Sequence, residues 1–130
     1  MRRFYREQDH PFRSTHAHDA LRGLLRDPAC GRVWLIRSGD VDVGYAVLTL
    51  GYSLEFLGRD AFVDELYVLP EHRGQGLGKQ AMALLEDECR ALGVHALHLE
   101  VARGNKAAQG LYRRFGFEKR AYFLMTRRIR

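Results

Sequence analysis

The sequence has few cysteines, no long apolar run and no internal repeat, and each absence excludes a class of protein. Its 130 residues include only two cysteines, Cys30 and Cys89. Two cysteines are too few for a disulfide scaffold or for a four-cysteine zinc or iron–sulfur site. No stretch approaches the ~20 consecutive apolar residues of a membrane-spanning helix. The basic N-terminal residues lack a following apolar segment, so we expect no secretory signal and a cytoplasmic location with reduced cysteines.

The length and charge of the chain indicate one globular domain with an anionic partner. A chain of 130 residues suits one compact domain that can bury a core without metal or disulfide support. The 21 Lys and Arg residues against 16 Asp and Glu residues give a net charge of +5. This favours nucleic acid, a membrane surface, a nucleotide cofactor or an acidic substrate as partner. Because acidic residues are interspersed with the basic ones, a solvated surface is the simpler interpretation of the basic chain ends.

Hydrophobic periodicity predicts a mixed α/β domain, in the order helix, β meander and then βαβαβ. Residues 1–29 are expected to be helical and polar, with a break around His10-Pro11-Phe12, because proline disfavours a helix there. Both faces of the strand predicted over 41–50 are apolar, which indicates burial on both sides. The predicted helices cover about 15–26, 77–92 and 105–115, and the predicted strands cover about 33–36, 41–50, 61–69, 96–101 and 118–129.

A glycine-rich turn between the strand at 61–69 and the helix at 77–92 is the most informative segment of the sequence. Backbone N–H groups in such a turn, together with the helix dipole, form a site for an anion. A Walker P-loop is excluded because Arg73 occupies the first glycine position and Gln80 the Ser/Thr position. The dinucleotide fingerprint is excluded because Lys79 stands where its third glycine would be.

The pattern that fits this turn is R-x-x-G-x-G, which occupies Arg73–Gly78 directly after the strand ending in Leu69-Pro70. A second motif, N-x-x-A-x-x-L-Y over Asn105–Tyr112, is followed by F-G-F at 115–117. In this order and at this separation, the two motifs resemble those of the GNAT N-acetyltransferase family over about residues 30–130. The resemblance implies a GNAT-like acyl-CoA N-acyltransferase fold, α/β with a mixed sheet, whose first strand is missing or shortened in this sequence.

The resemblance implies an N-acetyltransferase that binds acetyl-CoA, requires no metal, and transfers acetyl to a primary amine by direct attack in a ternary complex. It implies one domain over 1–130, with a helical acceptor-side segment at 1–29 and a core at 30–130 that holds the acetyl-CoA site. The implied acceptor is a small-molecule or protein amine, and neither nucleic acid nor a membrane is an expected partner. A missing first strand would leave a sheet edge exposed, which favours a homodimer.

The resemblance also assigns roles to single residues. Tyr112 would protonate the leaving thiolate, and Glu65 would act as the base or would only orient the substrate ammonium. Asp64, the neighbour of Glu65 on the strand, is expected to face the opposite side. The implied contacts to acetyl-CoA are Tyr67, Val68, Leu69, Arg73, Gly74, Gln75, Gly76, Leu77, Gly78, Lys79, Asn105, Ala108 and Tyr112. Candidate acceptor-pocket residues are Tyr5, Tyr52, Glu55 and Glu65.

Each assignment has a plain structural alternative. Asn105 is also placed as a helix N-cap, Tyr112 is also an aromatic residue at core spacing, and Arg73 is also a surface arginine. For the whole chain, the alternative is a non-catalytic acyl-CoA-binding or sensing domain. A nucleic-acid binder is disfavoured, because basic and aromatic residues do not interleave along one element.

Overall fold

The computed structural model describes residues 1–7 and 12–129, and it confirms the predicted mixed α/β class. The predicted break at His10 and Pro11 lies outside these residues. Within the described ranges, no helix is both long and apolar enough to cross a membrane. The helices are α1 (Arg2–Glu7), α2 (Ser14–Arg26), α3 (Leu77–Ala91) and α4 (Lys106–Arg114), and the strands are β1 (Gly31–Ser38), β2 (Val41–Ser53), β3 (Gly58–Val68) and β4 (Ala96–His98).

The four strands form one mixed sheet in the order β1-β2-β3-β4. Strand β2 pairs antiparallel with β1 and with β3, whereas β4 joins β3 in parallel. The hairpin between β1 and β2 turns at Gly39, whose φ of +62° lies in the left-handed region that glycine tolerates. The central strand β2 is buried at Val43, Ala46, Val47 and Leu48. Because successive strand residues point to opposite sides, this confirms the predicted burial on both faces.

A bulge in β3 decides which way Glu65 points. Glu65 pairs with Val47 and Val63 pairs with Leu48, so Asp64 is an extra residue without a partner on β2. Val47 and Leu48 are neighbours and point to opposite faces of the sheet. Glu65 therefore shares the face of Val47, while Val63 lies on the other face, although the two residues have the same parity. Regular alternation of side chains along β3 would place Val63 and Glu65 on the same face, but the bulge interrupts this alternation.

Helix α3 packs against β3 and contributes most of the helical part of the core. Its buried residues are Met82, Leu85 and Cys89, which are spaced three and four positions apart and so form one stripe. Leu84, another apolar residue of this helix, is 49% exposed because it lies beside the stripe. The helix ends as predicted before Gly93, which has a φ of +72°.

The chain divides by its contacts into two units, Met1–Glu100 and Val101–Arg130. The first contains the sheet with α1, α2 and α3, and the second contains α4 and the C-terminal segment. The single domain over 1–130 remains a prediction. The strand predicted over 96–101 is shorter in the structure, because β4 ends at His98, where its pairing with β3 also ends.

The prediction of a strand over 118–129 is wrong, since these residues have no regular secondary structure. The segment contains an apolar run around Tyr122 and Phe123, and both of these side chains are exposed. The guanidinium of Arg103 lies 5.3 Å from the ring centre of Phe123, and that of Arg120 lies 5.5 Å from the ring centre of Tyr122. Composition alone does not make a strand, because a strand needs a neighbour to complete its ladder of hydrogen bonds.

Candidate active site

Glu65 is a buried carboxylate held by two phenols. Only 8% of the surface of Glu65 is exposed to solvent. The Tyr5 hydroxyl, from α1, donates to Oε2 of Glu65 at 2.9 Å, and the Tyr45 hydroxyl, from β2, donates to Oε1 at 2.6 Å. Both carboxylate oxygens are therefore hydrogen-bonded, which offsets their loss of water on burial. The structure thus brings together two of the predicted acceptor-pocket residues, Tyr5 and Glu65, and adds Tyr45.

The phenols of this cluster keep their protons at neutral pH. Burial, and then the hydrogen bond to Glu65, raises the pKa of Tyr5 to about 12. The same two causes, in the same order, raise the pKa of Tyr45. Both hydroxyls therefore act as donors to Glu65. Of these three side chains, the carboxylate of Glu65 is the one that can accept a proton from a bound amine.

The ring of Phe4 packs the phenols in place. Its centre lies 5.5 Å from that of Tyr5, 6.4 Å from that of Tyr45 and 5.6 Å from that of Tyr67. All three contacts are edge-to-face, an arrangement that aromatic pairs favour. Phe4 thereby ties helix α1 to β2 and β3 beside Glu65, and this packing limits the movement of the two hydroxyl groups that hold the carboxylate.

A second polar group joins the end of α1 to the residue that opens the glycine loop. The carboxylate of Glu7 accepts from the Tyr67 hydroxyl at 2.7 Å and from Nη2 of Arg73 at 2.8 Å. These two hydrogen bonds, the Tyr67 bond first, lower the pKa of Glu7. Arg73 also donates from Nε to the Val68 carbonyl at 2.8 Å, and its guanidinium lies 5.3 Å from the Tyr67 ring centre. The cation predicted to meet a diphosphate is thus held here by Glu7.

The glycine loop before α3 has room for an anion at its backbone. Gly74 and Gly76 have φ values of +81° and +80°, so both adopt the left-handed conformation. A Cβ added at Gly74, Gly76 or Gly78 would meet no atom within 4 Å. The first turn of α3 contains Lys79 and no acidic residue. Because the first N–H groups of a helix lack intrahelical partners, this turn fits a phosphate group.

The edge of β3 next to this loop has no β4 partner, and its Val68 carbonyl accepts from Nε of Arg73. The ladder between β3 and β4 covers only 60–62 and 96–98. Among the described residues of the first unit, no strand pairs with 63–68 on that side. On its other side the chain stays attached to β2, where the Leu69 N–H donates to the Val43 carbonyl at 2.8 Å. The predicted pantetheine contacts at the end of β3 therefore have backbone groups free of a β4 partner.

In the second unit, Asn105 is confirmed as the N-cap of α4. Its Oδ1 accepts from the Ala108 N–H at 3.1 Å. Burial raises the pKa of Tyr112, so its phenol holds its proton through the neutral range.

Gln109 was not anticipated from the sequence. It is 7% exposed, and its Nε2 donates to the carbonyls of Ala102 and Arg103, which pins the turn before the helix.

Two predicted acceptor-pocket residues lie at the other end of the sheet. Tyr52 pairs with Arg59 beside the β2–β3 turn and is 76% exposed, and Glu55 is an exposed residue of that turn. The partner of Glu65 on β2, Val47, is five positions away, or roughly 17 Å along the strand. The structure therefore does not bring Tyr52 and Glu55 to Glu65.

Tyr45 escaped sequence reasoning, as did the contact of Glu7 with Arg73, although Glu7 itself is among the residues that could line the acceptor pocket. Tyr45 and Glu7 lie in no motif, and only the register of β2 on β3 and the seating of α1 show that they meet Glu65 and Arg73. The sequence contained one local indication for Tyr45. It lies two residues before Val47 on an apolar strand, so both side chains point to the same face of the sheet. In the described part of the chain, no group of three or more His, Cys, Asp or Glu residues is placed to hold a metal ion.

Comparison with known proteins places this geometry in a family. The sequence matches the acetyltransferase (GNAT) family over residues 1–117. It is 43% identical over 82 residues to an L-methionine sulfoximine/L-methionine sulfone acetyltransferase of Pseudomonas aeruginosa, a match covering 62% of this chain and 46% of that protein. It is 31% identical over 111 residues to an aminoalkylphosphonate N-acetyltransferase of Salmonella typhimurium, covering 85% of this chain and 71% of that protein. The chain thus spans about half the length of the Pseudomonas relative.

The fold is shared with a solved protein of closely similar sequence. An integron cassette protein from the mobile metagenome of Cole Harbour Salt Marsh superimposes with a TM-score of 0.86 at 39% identity, over 98% of this chain and 79% of that one. A possible acetyltransferase from Clostridium difficile shares the fold with a TM-score of 0.81 at 17% identity, over 96% of this chain and 83% of that one. Since the family match covers most of the sequence and the fold agrees, the chain belongs to the GNAT acetyltransferase family.

Proposed function

We propose that this chain is an N-acetyltransferase that transfers acetyl from acetyl-CoA to a primary amine by direct attack in a ternary complex. One observation carries the proposal: β3 presents the buried carboxylate of Glu65 and leads within a few residues into the open glycine loop at 74–78. A proton acceptor and an anion site are thereby held by one continuous segment. The names of the relatives, which specify acetyl transfer, support the same reaction class.

The glycine loop and the end of β3 would hold acetyl-CoA, which supplies an acetyl thioester when bound. The amides of 74–78 would bind the diphosphate, because glycines in this conformation let a phosphate reach the backbone. The edge at Tyr67–Leu69 would pair with the extended pantetheine arm as with an added strand. In the second unit, Asn105, Ala108 and Tyr112 remain the contacts that the family resemblance predicts.

On the acceptor side, Glu65 takes a proton from the substrate ammonium, so that the nitrogen lone pair becomes available for attack. As the nitrogen forms the C–N bond and the C–S bond breaks, Tyr112 would give its proton to the leaving sulfur, whose ordinary pKa as a thiol is about 8.5. The second proton that the nitrogen loses would restore the Tyr112 phenol through solvent. Burial raises the pKa of Tyr112 and so keeps that proton available at neutral pH. The relatives named for methionine sulfoximine and aminoalkylphosphonates favour a small primary amine as the acceptor.

Binding of acetyl-CoA is the first test. We expect a saturable rise in Tm with acetyl-CoA or desulfo-CoA and a smaller rise with adenosine diphosphate, since a ligand at 100 times its Kd stabilises a fold by about 2.7 kcal/mol. The Gly76→Val variant should lose the rise, because a β-branched residue is strained at a φ of +80°. Gly23→Ala, in open space on α2, is the matched control and should respond like the parent. A folded protein without any response would contradict the proposal.

The reaction itself is tested by an acceptor screen that detects released thiol. Small primary amines, including amino acids and aminoalkylphosphonates, should give release that depends on both acetyl-CoA and amine. Saturable binding of acetyl-CoA with no turnover on any amine would favour the alternative of a non-catalytic acyl-CoA-binding or sensing domain. Release that does not depend on amine would point to simple thioester hydrolysis and would count against direct transfer.

Replacement of Glu7 by glutamine should tighten acetyl-CoA binding about two- to fivefold. The carboxylate of Glu7 holds the Arg73 guanidinium at 2.8 Å, so the diphosphate competes with Glu7 for this cation. Both side chains are more than one-third exposed, and a pair of this kind contributes up to about 1 kcal/mol, which limits the effect. Isothermal titration calorimetry gives the two Kd values.

The matched control for this measurement is Glu71→Gln. Glu71 pairs at 3.0 Å with Arg3, which lies on the same short helix as Glu7, whereas the ion pair of Arg73 is with Glu7. The Kd of the Glu71→Gln variant for acetyl-CoA should equal that of the parent protein. Weaker binding by the Glu7 variant would mean that Glu7 orients Arg73 toward the diphosphate, and the competition would be refuted.

A further inference from the structure

We propose that Tyr45 and Tyr5 are positioning residues for Glu65: their hydroxyls donate to the two carboxylate oxygens and fix the direction in which the carboxylate accepts the proton of the acceptor ammonium. The inference rests on the proposed function and deepens it. It gives roles to two residues that lie in neither sequence motif and belong to elements other than β3, since Tyr45 lies on β2 and Tyr5 on α1.

The direct hydrogen-bond partners of the buried Glu65 carboxylate are neutral donors. Among the described residues, none of the ion pairs includes Glu65. The phenols instead supply one hydrogen bond to each oxygen, at 2.9 Å from Tyr5 and 2.6 Å from Tyr45. An arginine or lysine partner would favour the charged form strongly and leave a poor proton acceptor. Two neutral donors satisfy one lone pair on each oxygen and place no cation directly on the carboxylate.

The same two hydrogen bonds determine the orientation of the carboxylate. Each oxygen has two lone pairs, so each can accept one more hydrogen bond after a phenol has taken its place. Tyr45 holds Oε1 from the central strand and Tyr5 holds Oε2 from the helix, so rotation of the carboxylate breaks both bonds. Phe4, packed against both rings, holds the donors in this arrangement. The remaining lone pairs of Glu65 therefore have a fixed direction.

The other ionisable groups near this cluster do not replace the phenols as hydrogen-bond donors. The groups whose charges or hydroxyls act on the cluster are the Met1 amino group and Tyr5 from the N-terminal segment, Tyr45 from β2, and Asp64 and Tyr67 from β3. The Tyr67 hydroxyl donates to Glu7. Removal of the Tyr45 hydroxyl therefore changes the donors of Glu65 without changing the charge of any neighbour.

The test is the pH profile of kcat/KM for the amine in Tyr45→Phe. Loss of a donor to the carboxylate favours its protonated form, so the midpoint of the acid limb should move up by about one pH unit. Activity should recover toward that of the parent on the alkaline side, and the KM for acetyl-CoA should not change. Tyr5→Phe should move the same limb in the same direction. Tyr52→Phe, whose phenol is exposed at the far end of the sheet, is the matched control and should leave the midpoint in place.

Carbon-13 NMR of glutamate-labelled protein provides a readout that does not need activity. The carboxyl resonance of Glu65, assigned by its loss in Glu65→Gln, should titrate at higher pH in Tyr45→Phe than in the parent. An upward displacement supports the proposal even if no amine is acetylated, in which case only the proposed function fails. An unmoved resonance, or an activity loss equal at every pH, overturns it. If Tyr45→Phe does not fold, the Tyr5→Phe titration decides by the same criterion.

Discussion

Replacement of Glu65 by glutamine should lower kcat for amine acetylation by roughly 100- to 10,000-fold at neutral pH. The amide cannot take the ammonium proton, but it has nearly the same shape and can still accept a hydrogen bond from a phenol through its oxygen. The fold and acetyl-CoA binding should therefore persist while the proton acceptor is lost. Steady-state kinetics at saturating acetyl-CoA measure the change. The loss should shrink at high pH, where more of the amine is already deprotonated in solution.

The Glu65 experiment also separates the two roles that remain open for this residue. If Glu65 only orients the substrate ammonium, the variant should keep its kcat and show a raised KM for the amine. Glu55→Gln is the matched control, because Glu55 is an exposed carboxylate at the β2–β3 turn. It should behave like the parent in both parameters. A large loss of kcat in Glu55→Gln would mean that the β2–β3 turn contributes to the acceptor site. That result would count against Glu65 as the residue that acts on the amine.

Replacement of Tyr112 by phenylalanine should also lower kcat by roughly 100- to 10,000-fold, with the Kd for acetyl-CoA unchanged. The substitution removes only the hydroxyl that protonates the leaving sulfur. Since burial raises the pKa of Tyr112, the phenol should serve as an acid throughout the neutral range, and the parent should lose activity only at alkaline pH. Kinetics combined with calorimetry on the same samples measure both quantities.

The control for Tyr112 is Tyr122→Phe, which removes a phenol that is 79% exposed in the C-terminal segment. Its turnover should equal that of the parent. Unchanged turnover in Tyr112→Phe would mean that another group or water protonates the thiolate. Weaker acetyl-CoA binding with equal kcat would assign Tyr112 to the binding of the donor, and the acid role would be refuted.

The helices and their caps followed well from the sequence. Helix α2 begins one residue before its predicted start and ends at Arg26 as predicted, and the Asn105 side chain caps α4. The glycine loop also agrees, because Gly74 and Gly76 adopt the conformation that other residues rarely take. These features depend on neighbours within one or two helical turns. Local periodicity and backbone preference therefore contain the information needed.

The errors arose where a feature depends on a partner distant in the chain. The segment 118–129 has the apolar composition of a strand but no pairing partner in the structure. Tyr52 is aromatic and lies near an acidic residue in sequence, yet the register of β2 on β3 places it far from Glu65. The hydrogen bond between Arg73 and Glu7, 66 positions earlier, was also not anticipated, and the contact of Arg73 with acetyl-CoA stays a prediction. None of these contacts leaves a local signal.

The sequence by itself determined that this chain is a mixed α/β protein with a glycine-rich loop before α3 and a GNAT motif pair, because helix periodicity, caps and glycine positions are local properties. Only the tertiary structure decided what surrounds Glu65. The bulge at Asp64 turns Glu65 to the face of Val47, and the phenols that hold it lie 20 and 60 positions away. Strand register and the packing of α1 set those contacts, and both result from the burial of the whole sheet.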